Sequence, residues 1–171
     1  MTAEDIAPPP IRRLTAEDAE AFRALRREAL LQAPAAFAST AEDLEKLSDE
    51  AIRKLLTDLA LFAAFRGKEP VGMMGLMRFN TSKMAHRANL VMVYLRTAER
   101  GRGVAGALLA AVTAHARDSC LRQIELAVTA ENAPALAFYR REGFAEIGYM
   151  PAGFLHEGRE IDEILMMRRV V

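Results

Sequence analysis

The chain has 171 residues, of which 51% are apolar and 27% charged. This balance indicates a folded globular domain rather than a disordered chain, and the length is enough to bury roughly two thirds of the unfolded surface. Because the formal net charge is +0, composition does not favour nucleic acid or an acidic membrane as a partner. The single cysteine, Cys120, excludes an internal disulfide and is compatible with a reducing cytoplasm, where we expect the protein.

Targeting and metal-binding signals are also missing from the sequence. No apolar stretch approaches the ~18 residues that a membrane-spanning helix needs. Residues 1–9 contain acidic residues and then prolines, unlike a signal peptide, and we expect them to be flexible. Residues 10–171 are then expected to form a single domain. The three histidines lie far apart with no metal-ligand spacing, so no metal site is predicted.

The first half of the chain contains helix-start signals followed by a predicted strand pair. A Ser or Thr before acidic residues marks a helix start, because the hydroxyl caps free N–H groups and the acids complement the helix dipole. Apolar runs bounded by Gly and Pro indicate strands. These signals predict, in chain order, a strand at 11–14, a helix from Thr15 to about Gln32, a helix start at Thr40, a helix from Ser48 to Leu56, and strands at 59–66 and 71–79.

The second half predicts a parallel strand pair. The strand expected at 86–95 ends in the apolar run 90–95, a continuity that implies burial on both faces. A strand–helix–strand unit then requires parallel strands, whereas the earlier strands form an antiparallel meander. We therefore predict an α+β fold in three layers, with a mixed, mainly antiparallel sheet and helices on both faces. The remaining elements are a helix at 103–118, a strand at 123–128, a helix at 133–141, and strands at 145–150 and 161–168.

A glycine-rich loop between the predicted strand and helix is the strongest chemical signal. Residues 96–106 read RTAERGRGVAG. Glycines without Cβ allow backbone N–H groups to close on an anion, and a helix start adds further donors and a positive dipole end. Arg100 and Arg102 flank the first glycine and can pair with phosphate oxygens. The loop therefore suggests a ligand that carries a diphosphate.

Two alternative interpretations of this loop must be weighed, a dinucleotide-binding fold and an ordinary loop. Gly101, Gly103 and Gly106 fit the pattern G-x-G-x-x-G of dinucleotide-binding folds, but five residues separate the strand from Gly101, which is long for that tight turn. The acidic residue expected about 20 residues further on should end the next strand, whereas Glu125 lies inside it. The other alternative is an ordinary structural loop, with Tyr139 packed as a core aromatic residue.

Two spaced motifs resemble the GNAT superfamily of N-acyltransferases. Arg100-x-x-Gly103-x-Ala105 matches the signature [QR]-x-x-G-x-[GA], which binds the diphosphate of acyl-coenzyme A in that family. Residues 132–144, one helix and one strand downstream, resemble the family pattern N-x-x-A-x-x-[FL]-Y-x-x-x-G-F. The resemblance covers roughly residues 10–169 and does not identify an acceptor.

The resemblance implies a cleft that holds acetyl-CoA as a co-substrate. In the family, the strands corresponding to 86–95 and 123–128 splay apart at their C-terminal ends, and the pantetheine arm pairs with the open edge of the first strand. A backbone N–H near Leu95 is then expected to polarise the thioester carbonyl. The cofactor-binding residues that the resemblance implies are Val93, Tyr94, Leu95, Arg100, Gly101, Arg102, Gly103, Val104, Ala105, Asn132, Phe138 and Tyr139.

The resemblance also implies roles in catalysis. Tyr139 matches the general-acid position, and a phenol with an ordinary pKa of ~10 stays protonated at neutral pH. No acid lies on the strand 86–95, so a water chain, Glu28, Glu42 or Glu131 remain alternatives for the general base. The acceptor is expected to bind between residues 32–44 and 150–160.

We therefore expect an N-acetyltransferase that transfers an acetyl group from acetyl-CoA to a primary amine by direct attack in a ternary complex, without a metal. The alternative is a non-catalytic CoA-binding sensor or assembly module, which the missing strand acid supports. Neither nucleic acid nor a membrane is expected as a partner. A homodimer is common in the family, although the sequence indicates no interface.

Overall fold

Seven strands form one sheet in the order β1-β2-β3-β4-β5-β7-β6 in the computed structural model, which describes residues 8–170. Only β4 and β5 run parallel, which confirms the predicted mixed, mainly antiparallel sheet. The strands are β1 (Ile11–Arg13), β2 (Ala60–Arg66), β3 (Glu69–Arg78), β4 (Arg87–Leu95), β5 (Gln123–Thr129), β6 (Ala145–His156) and β7 (Arg159–Arg169). The helices are α1 (Ala19–Gln32), α2 (Ala41–Glu45), α3 (Asp49–Asp58), α4 (Val104–Asp118) and α5 (Ala133–Arg141).

The residues immediately before β1 already contact the sheet. Most of the segment expected to be flexible, residues 1–7, lies outside the described residues. Pro9 is buried, and the carbonyl of Pro10 accepts a hydrogen bond from the N–H of Phe65 at 2.9 Å. None of the helices within residues 8–170 is long and apolar enough to cross a lipid bilayer.

The first helix begins later than the sequence predicts. A 3₁₀ turn at Ala16–Asp18 follows Thr15, and α1 starts only at Ala19. The carboxylate of Asp18 accepts the N–H of Thr15 at 2.8 Å and pairs with the guanidinium of Arg12. These contacts tie the first turn to the end of β1, so the chain completes one tight turn before the α-helix begins.

The last two strands are longer than predicted. The sequence predicts strands at 145–150 and 161–168, whereas β6 continues to His156 and β7 starts at Arg159. A register shift lies between Met150 and Phe154, and Ala152 adopts a left-handed φ of +49°. An edge strand accommodates proline and a bulge without losing its pairing beyond them. The segment 150–160 is therefore a bulged hairpin rather than a loop.

The sheet separates two apolar cores, which confirms helices on both faces. One core packs α4 and α5 against the sheet, with Leu108, Val112 and Tyr139 among its buried residues. The other packs α1, α2 and α3 on the opposite face, around Phe22 and Ile52. A channel from one face to the other must therefore pass through an opening in the sheet itself.

Candidate active site

An opening of this kind lies between the two parallel strands. β4 and β5 are aligned only over Arg87–Asn89 and Gln123–Glu125. β4 nevertheless continues to Leu95, and β5 continues to Thr129 while paired with β7 on its other side. Beyond the third pair the strands separate, as the resemblance implies, and leave backbone groups of β4 without a sheet partner on that side.

β4 contains a β-bulge at the edge of this gap. From Met73 to Gly75 on β3, the paired residues of β4 run from Tyr94 to Val91, one residue more than on β3. Met92 takes up the difference with a left-handed φ of +54°, which costs a residue with a side chain about 1–2 kcal/mol. Met92 lies three residues beyond Asn89, the last residue of β4 that is aligned with β5, so the strained residue is beside the gap.

The end of β4 presents an N–H group to the gap. The N–H of Arg96 donates to the carbonyl of Val71 on β3 at 3.0 Å. Because N–H directions alternate along an extended strand, the N–H of Leu95 points to the other side, toward β5. The carbonyl of Leu95 accepts a hydrogen bond from Nε of Arg100 at 3.1 Å instead of pairing within the sheet.

A cavity of about 700 Å³ occupies the gap. Residues 89–93 of β4 and 126–129 of β5 line it, together with groups from both faces of the sheet. Asn132, Ala135 and Tyr139 form its wall on the side of α5, and Arg26, Phe37 and Leu55 form its wall on the side of α1 and α3. The cavity therefore passes through the sheet, and two molecules entering from opposite faces can meet inside it.

The glycine-rich loop leads from the end of β4 to the start of α4. Gly103 is the N-cap of α4, with a left-handed φ of +78°, and no side chain caps this end. The first N–H groups of a helix have no partner within the helix, and no acidic residue lies in the first turn of α4. A Cβ added at Gly103 would meet nothing within 4 Å, so there is open space beside the backbone at this end of the helix. The arrangement is a site for an anion.

Tyr139 lies on the wall of the cavity within the α5-side core. Its ring makes edge contacts with Phe138 and Phe144, with centroids 5.3 and 5.5 Å apart. Burial raises the pKa of the Tyr139 phenol above its ordinary value, and none of the described residues forms a hydrogen bond with its hydroxyl. The phenol is therefore a protonated donor with an unused hydrogen-bonding capacity at neutral pH.

Asn132 lines the cavity while also capping α5. Its side-chain oxygen accepts the N–H of Ala135 at 3.2 Å, so the capping role alone explains the residue type. Phe138 is partly buried and packs against Tyr139 and the guanidinium of Arg141. It does not line the cavity.

Glu163 is a cavity residue that sequence reasoning missed. It lies on β7 opposite Thr129, at the open end of β5. Its side chain occupies the space over Gly153, where an added Cβ would lie 2.3 Å from Oε2. None of the described residues forms an ion pair with it. Apart from its position in a strand, nothing in the sequence distinguishes Glu163 from the other acids of this hairpin.

The acids expected as general bases lie elsewhere. The Glu28 carboxylate accepts hydrogen bonds from Arg96 and from the hydroxyl of Tyr94, at 2.8 and 3.0 Å, and these bonds lower the pKa of Glu28. Glu131 pairs with Arg159, which lowers the pKa of Glu131. Glu42 is exposed on α2. None of the three lines the cavity.

The structure thus brings some of the predicted site residues together and leaves others apart. Val93, Asn132 and Tyr139 share the cavity wall. The side chain of Tyr94 packs into the core on the side of α1, and that of Val104, the first residue of α4, is buried in the core on the side of α4 and α5. The predicted residues outside the cavity wall are Tyr94, Leu95, Arg100, Gly101, Arg102, Gly103, Val104, Ala105 and Phe138.

Comparisons with known proteins agree with this architecture. The model of the Acetyltransferase (GNAT) family matches residues 20–144. Since this match covers most of the chain, the protein belongs to the GNAT acetyltransferase family, as the two motifs predict. No curated protein sequence is similar enough to count as a match.

Solved structures share the fold over nearly the whole chain. An acetyltransferase of the GNAT family from Streptococcus pneumoniae is 20% identical, with a TM-score of 0.85 over 95% of this chain and 99% of its own. Ribosomal-protein-alanine N-acetyltransferase from Brucella melitensis is 25% identical, with a TM-score of 0.80 over 94% and 99%. A phosphinothricin acetyltransferase from Sinorhizobium meliloti, solved in complex with acetyl-CoA, is 21% identical, with a TM-score of 0.78 over 95% and 89%.

Proposed function

We propose that this protein is an N-acetyltransferase that transfers the acetyl group of acetyl-CoA to a primary amine within a ternary complex. The observation that carries the proposal is the cavity through the sheet at the β4–β5 gap, with Tyr139 on its wall. A direct transfer needs two substrates to meet from different directions. A cavity lined by residues from both faces of the sheet provides such a meeting point.

The residues around the gap fit acetyl-CoA. The uncapped start of α4 and the open space at Gly103 suit its diphosphate. The unpaired edge of β4 suits the amide groups of the pantetheine arm, which then takes the position of a missing strand. The N–H of Leu95, directed toward the gap, is available to the thioester oxygen as negative charge develops there.

Two side chains carry the proton transfers in this proposal. Glu163 accepts a proton from the ammonium form of the acceptor, directly or through water, because only the neutral amine attacks the thioester carbon. As the new C–N bond forms and the C–S bond breaks, Tyr139 donates its proton to the departing sulfur. The nitrogen loses its second proton, which restores the phenol, so the net products are the amide, the CoA thiol and one proton.

Binding of acetyl-CoA measured by isothermal titration calorimetry tests the loop assignment. Gly103→Ala should weaken binding by about tenfold or more, because the new methyl group blocks the approach of phosphate to the helix start. Gly67→Ala is the matched control. Gly67 also has a left-handed φ and open space around it, in the turn between β2 and β3, so the backbone strain is similar but the ligand site is untouched.

Thiol release in the presence of acetyl-CoA and a panel of amines tests catalysis. The proposal expects release that depends on at least one amine and a mass increase of that amine by one acetyl group. Binding of acetyl-CoA with no release on any acceptor would instead favour the non-catalytic module. Equal binding by the Gly103→Ala and Gly67→Ala variants would refute the loop assignment.

A further inference from the structure

Arg26 is a buried cation that the packing of the fold does not explain. It lies on α1, is only 6% exposed, and contributes to the wall of the cavity. Its guanidinium stacks on the ring of Phe37, with 4.6 Å between Cζ and the ring centroid. Nη1 is fully enclosed without a hydrogen-bond partner, and none of the described residues accepts a hydrogen bond from the other nitrogens.

An unpaired arginine in this position is unusual. A guanidinium carries five N–H donors, and buried polar groups are nearly always paired. Burial lowers the pKa of Arg26 to about 10, and no carboxylate of the described chain opposes the shift. The group therefore remains charged at neutral pH. The protein therefore keeps a positive charge at the cavity wall that stacks on Phe37 but has no carboxylate partner among the described residues.

The other charged groups facing the cavity do not fill this role. The carboxylate of Asp58 pairs with Lys54, and Nε of Arg78 donates to the carbonyl of Ala85 at 2.7 Å. Glu163 faces the cavity from β7, whereas Arg26 faces it from α1. Phe37, on which Arg26 stacks, lines the wall together with Ala36 and Ala38. Such a site combines one cation with apolar surface.

On the basis of the proposed function, we propose that Arg26 binds a carboxylate of the amine acceptor, so that the acceptor is an amino acid or another amine bearing a carboxylate. The planar guanidinium matches the two oxygens of a carboxylate, and the pair neutralises both charges away from water. Apolar atoms of the acceptor pack against Phe37. A polyamine brings no carboxylate to Arg26, and neither does a protein N-terminus whose first residue lacks an acidic side chain.

The positions on the cavity wall agree with this assignment. Arg26 lies on the α1 side of the gap, and Tyr139 lies on the α5 side. An acceptor held by its carboxylate at Arg26 therefore extends its amine into the gap. Acetyl-CoA approaches from the opposite face, and its sulfur departs toward Tyr139. The two substrates therefore contact different walls of the cavity.

Matched acceptor pairs provide the first test. Thiol release is measured with acetyl-CoA and a series of α-, β- and γ-amino acids, each compared with its own carboxamide. Spermidine and a short peptide amide serve as controls that have no carboxylate. The expected result is a kcat/KM about 10- to 100-fold higher for the best acid than for its amide, the range that charge-assisted hydrogen bonds support. The same pairs are compared by thermal shift in the presence of CoA, which reports binding even where turnover is slow.

Variants of α1 provide the second test. Arg26→Met removes the charge at similar volume. Arg26→Lys keeps the charge but loses the planar guanidinium, which can donate two parallel hydrogen bonds to a carboxylate. Arg26→Met should abolish the preference for acids while leaving acetyl-CoA binding unchanged, and Arg26→Lys should retain part of it. Arg27→Met is the control, since Arg27 lies on the same helix, is 55% exposed and pairs with Glu45.

Stability separates a binding role from a structural one. Removing an uncompensated buried charge should leave the melting temperature of Arg26→Met unchanged or raise it. Amides that are acetylated and bound as well as the acids would overturn the inference while leaving the proposed function intact. A large fall in melting temperature with the acid preference retained would also overturn it. Failure of the wild-type protein to bind acetyl-CoA would instead refute the proposed function.

Discussion

Arg87 and Glu125 form a two-point ion pair across the parallel strands, with Nη2 of Arg87 2.7 Å from Oε2 of Glu125. Both residues lie in the short section where β4 and β5 are still aligned. Gln123 adds a hydrogen bond to the same carboxylate at 2.7 Å. The ion pair therefore closes one end of the gap, while the other end stays open for a ligand.

Loss of this ion pair should weaken the closed end. Glu125→Gln should lower the free energy of unfolding at pH 7 by about 1 kcal/mol, because the Glu125 side chain is only 13% exposed and accepts hydrogen bonds from Arg87 and Gln123, although Arg87 is partly exposed. Glu146→Gln, which removes an ion pair with Arg140 that is about half exposed, should cost less than about 0.5 kcal/mol. Denaturant unfolding measures both, and equal losses would show that the Arg87–Glu125 pair has no special role.

Replacement of Tyr139 by Phe tests its role as a proton donor. Turnover should fall by about 100-fold or more, whereas the Kd for acetyl-CoA should change less than about threefold because the ring is retained. Tyr149→Phe is the matched control, since the Tyr149 hydroxyl contacts Asp162 on an exposed part of the β6–β7 hairpin. Rates from thiol release and affinities from calorimetry separate the two effects. Unchanged turnover in Tyr139→Phe would contradict the role.

The raised pKa of Tyr139 predicts how turnover changes at alkaline pH. Burial raises the pKa of its phenol, so the protonated donor persists at pH values where an exposed tyrosine has already ionised. The rate in the presence of a saturating acceptor should therefore show no loss from Tyr139 below pH ~10. An alkaline fall in turnover well below that pH, present in the wild-type protein and absent in Tyr139→Phe, would contradict this assignment.

Glu163→Gln tests the proposed proton acceptor. Turnover at pH 7 should fall by about 10- to 100-fold, and the loss should diminish as the pH rises, because the amine then deprotonates without help. Glu160→Gln, on the same strand but exposed, should retain activity at both pH values. Initial rates between pH 6 and pH ~9.5 measure the effect. A pH-independent loss would indicate that Glu163 only shapes the cavity.

The Asp18 carboxylate is expected to stabilise the fold by an amount that is lost at acidic pH. Its hydrogen bonds from Arg12 and from the N–H of Thr15 lower the pKa of Asp18 to about 2. The stabilisation is therefore fully present above the ordinary carboxyl pKa and is lost as the pH falls toward 2. Asp18→Asn should be less stable than wild type by about 1–2 kcal/mol at pH 5, allowing for the exposed Arg12, and the difference should shrink by pH ~3. A difference that stays constant with pH would contradict the assignment.

Local patterns in the sequence predicted most elements of the fold. The caps at Thr40 and Ser48 and the strand–helix–strand unit at 86–128 rest on short-range rules of backbone hydrogen bonding, which the structure obeys. The burial of 90–95 on both faces was predicted less well. Residues 91–93 are only half-buried, because the gap in the sheet exposes them to the cavity, and apolar continuity cannot distinguish a core from an apolar ligand channel.

Local sequence patterns could not predict which charged residues lie at the cavity. Arg26 lies on the apolar stripe of α1, between Leu25 and Ala29, and an arginine on that stripe is the one signal that the sequence offered. Whether such a cation is paired depends on residues distant in sequence. Glu163 lies within the strand predicted at 161–168, but its place at the cavity depends on the pairing of β7 with the open end of β5 and on the space above Gly153 that its side chain occupies, and no local pattern indicates either feature.

A crystal structure of the protein with bound acetyl-CoA tests the central claim most directly. The account predicts the pantetheine arm between β4 and β5 beyond Asn89 and Glu125. It also predicts diphosphate oxygens about 3 Å from the N–H groups of residues 103–105. A complex in which β4 and β5 remain aligned through Leu95 and the nucleotide binds elsewhere would contradict it.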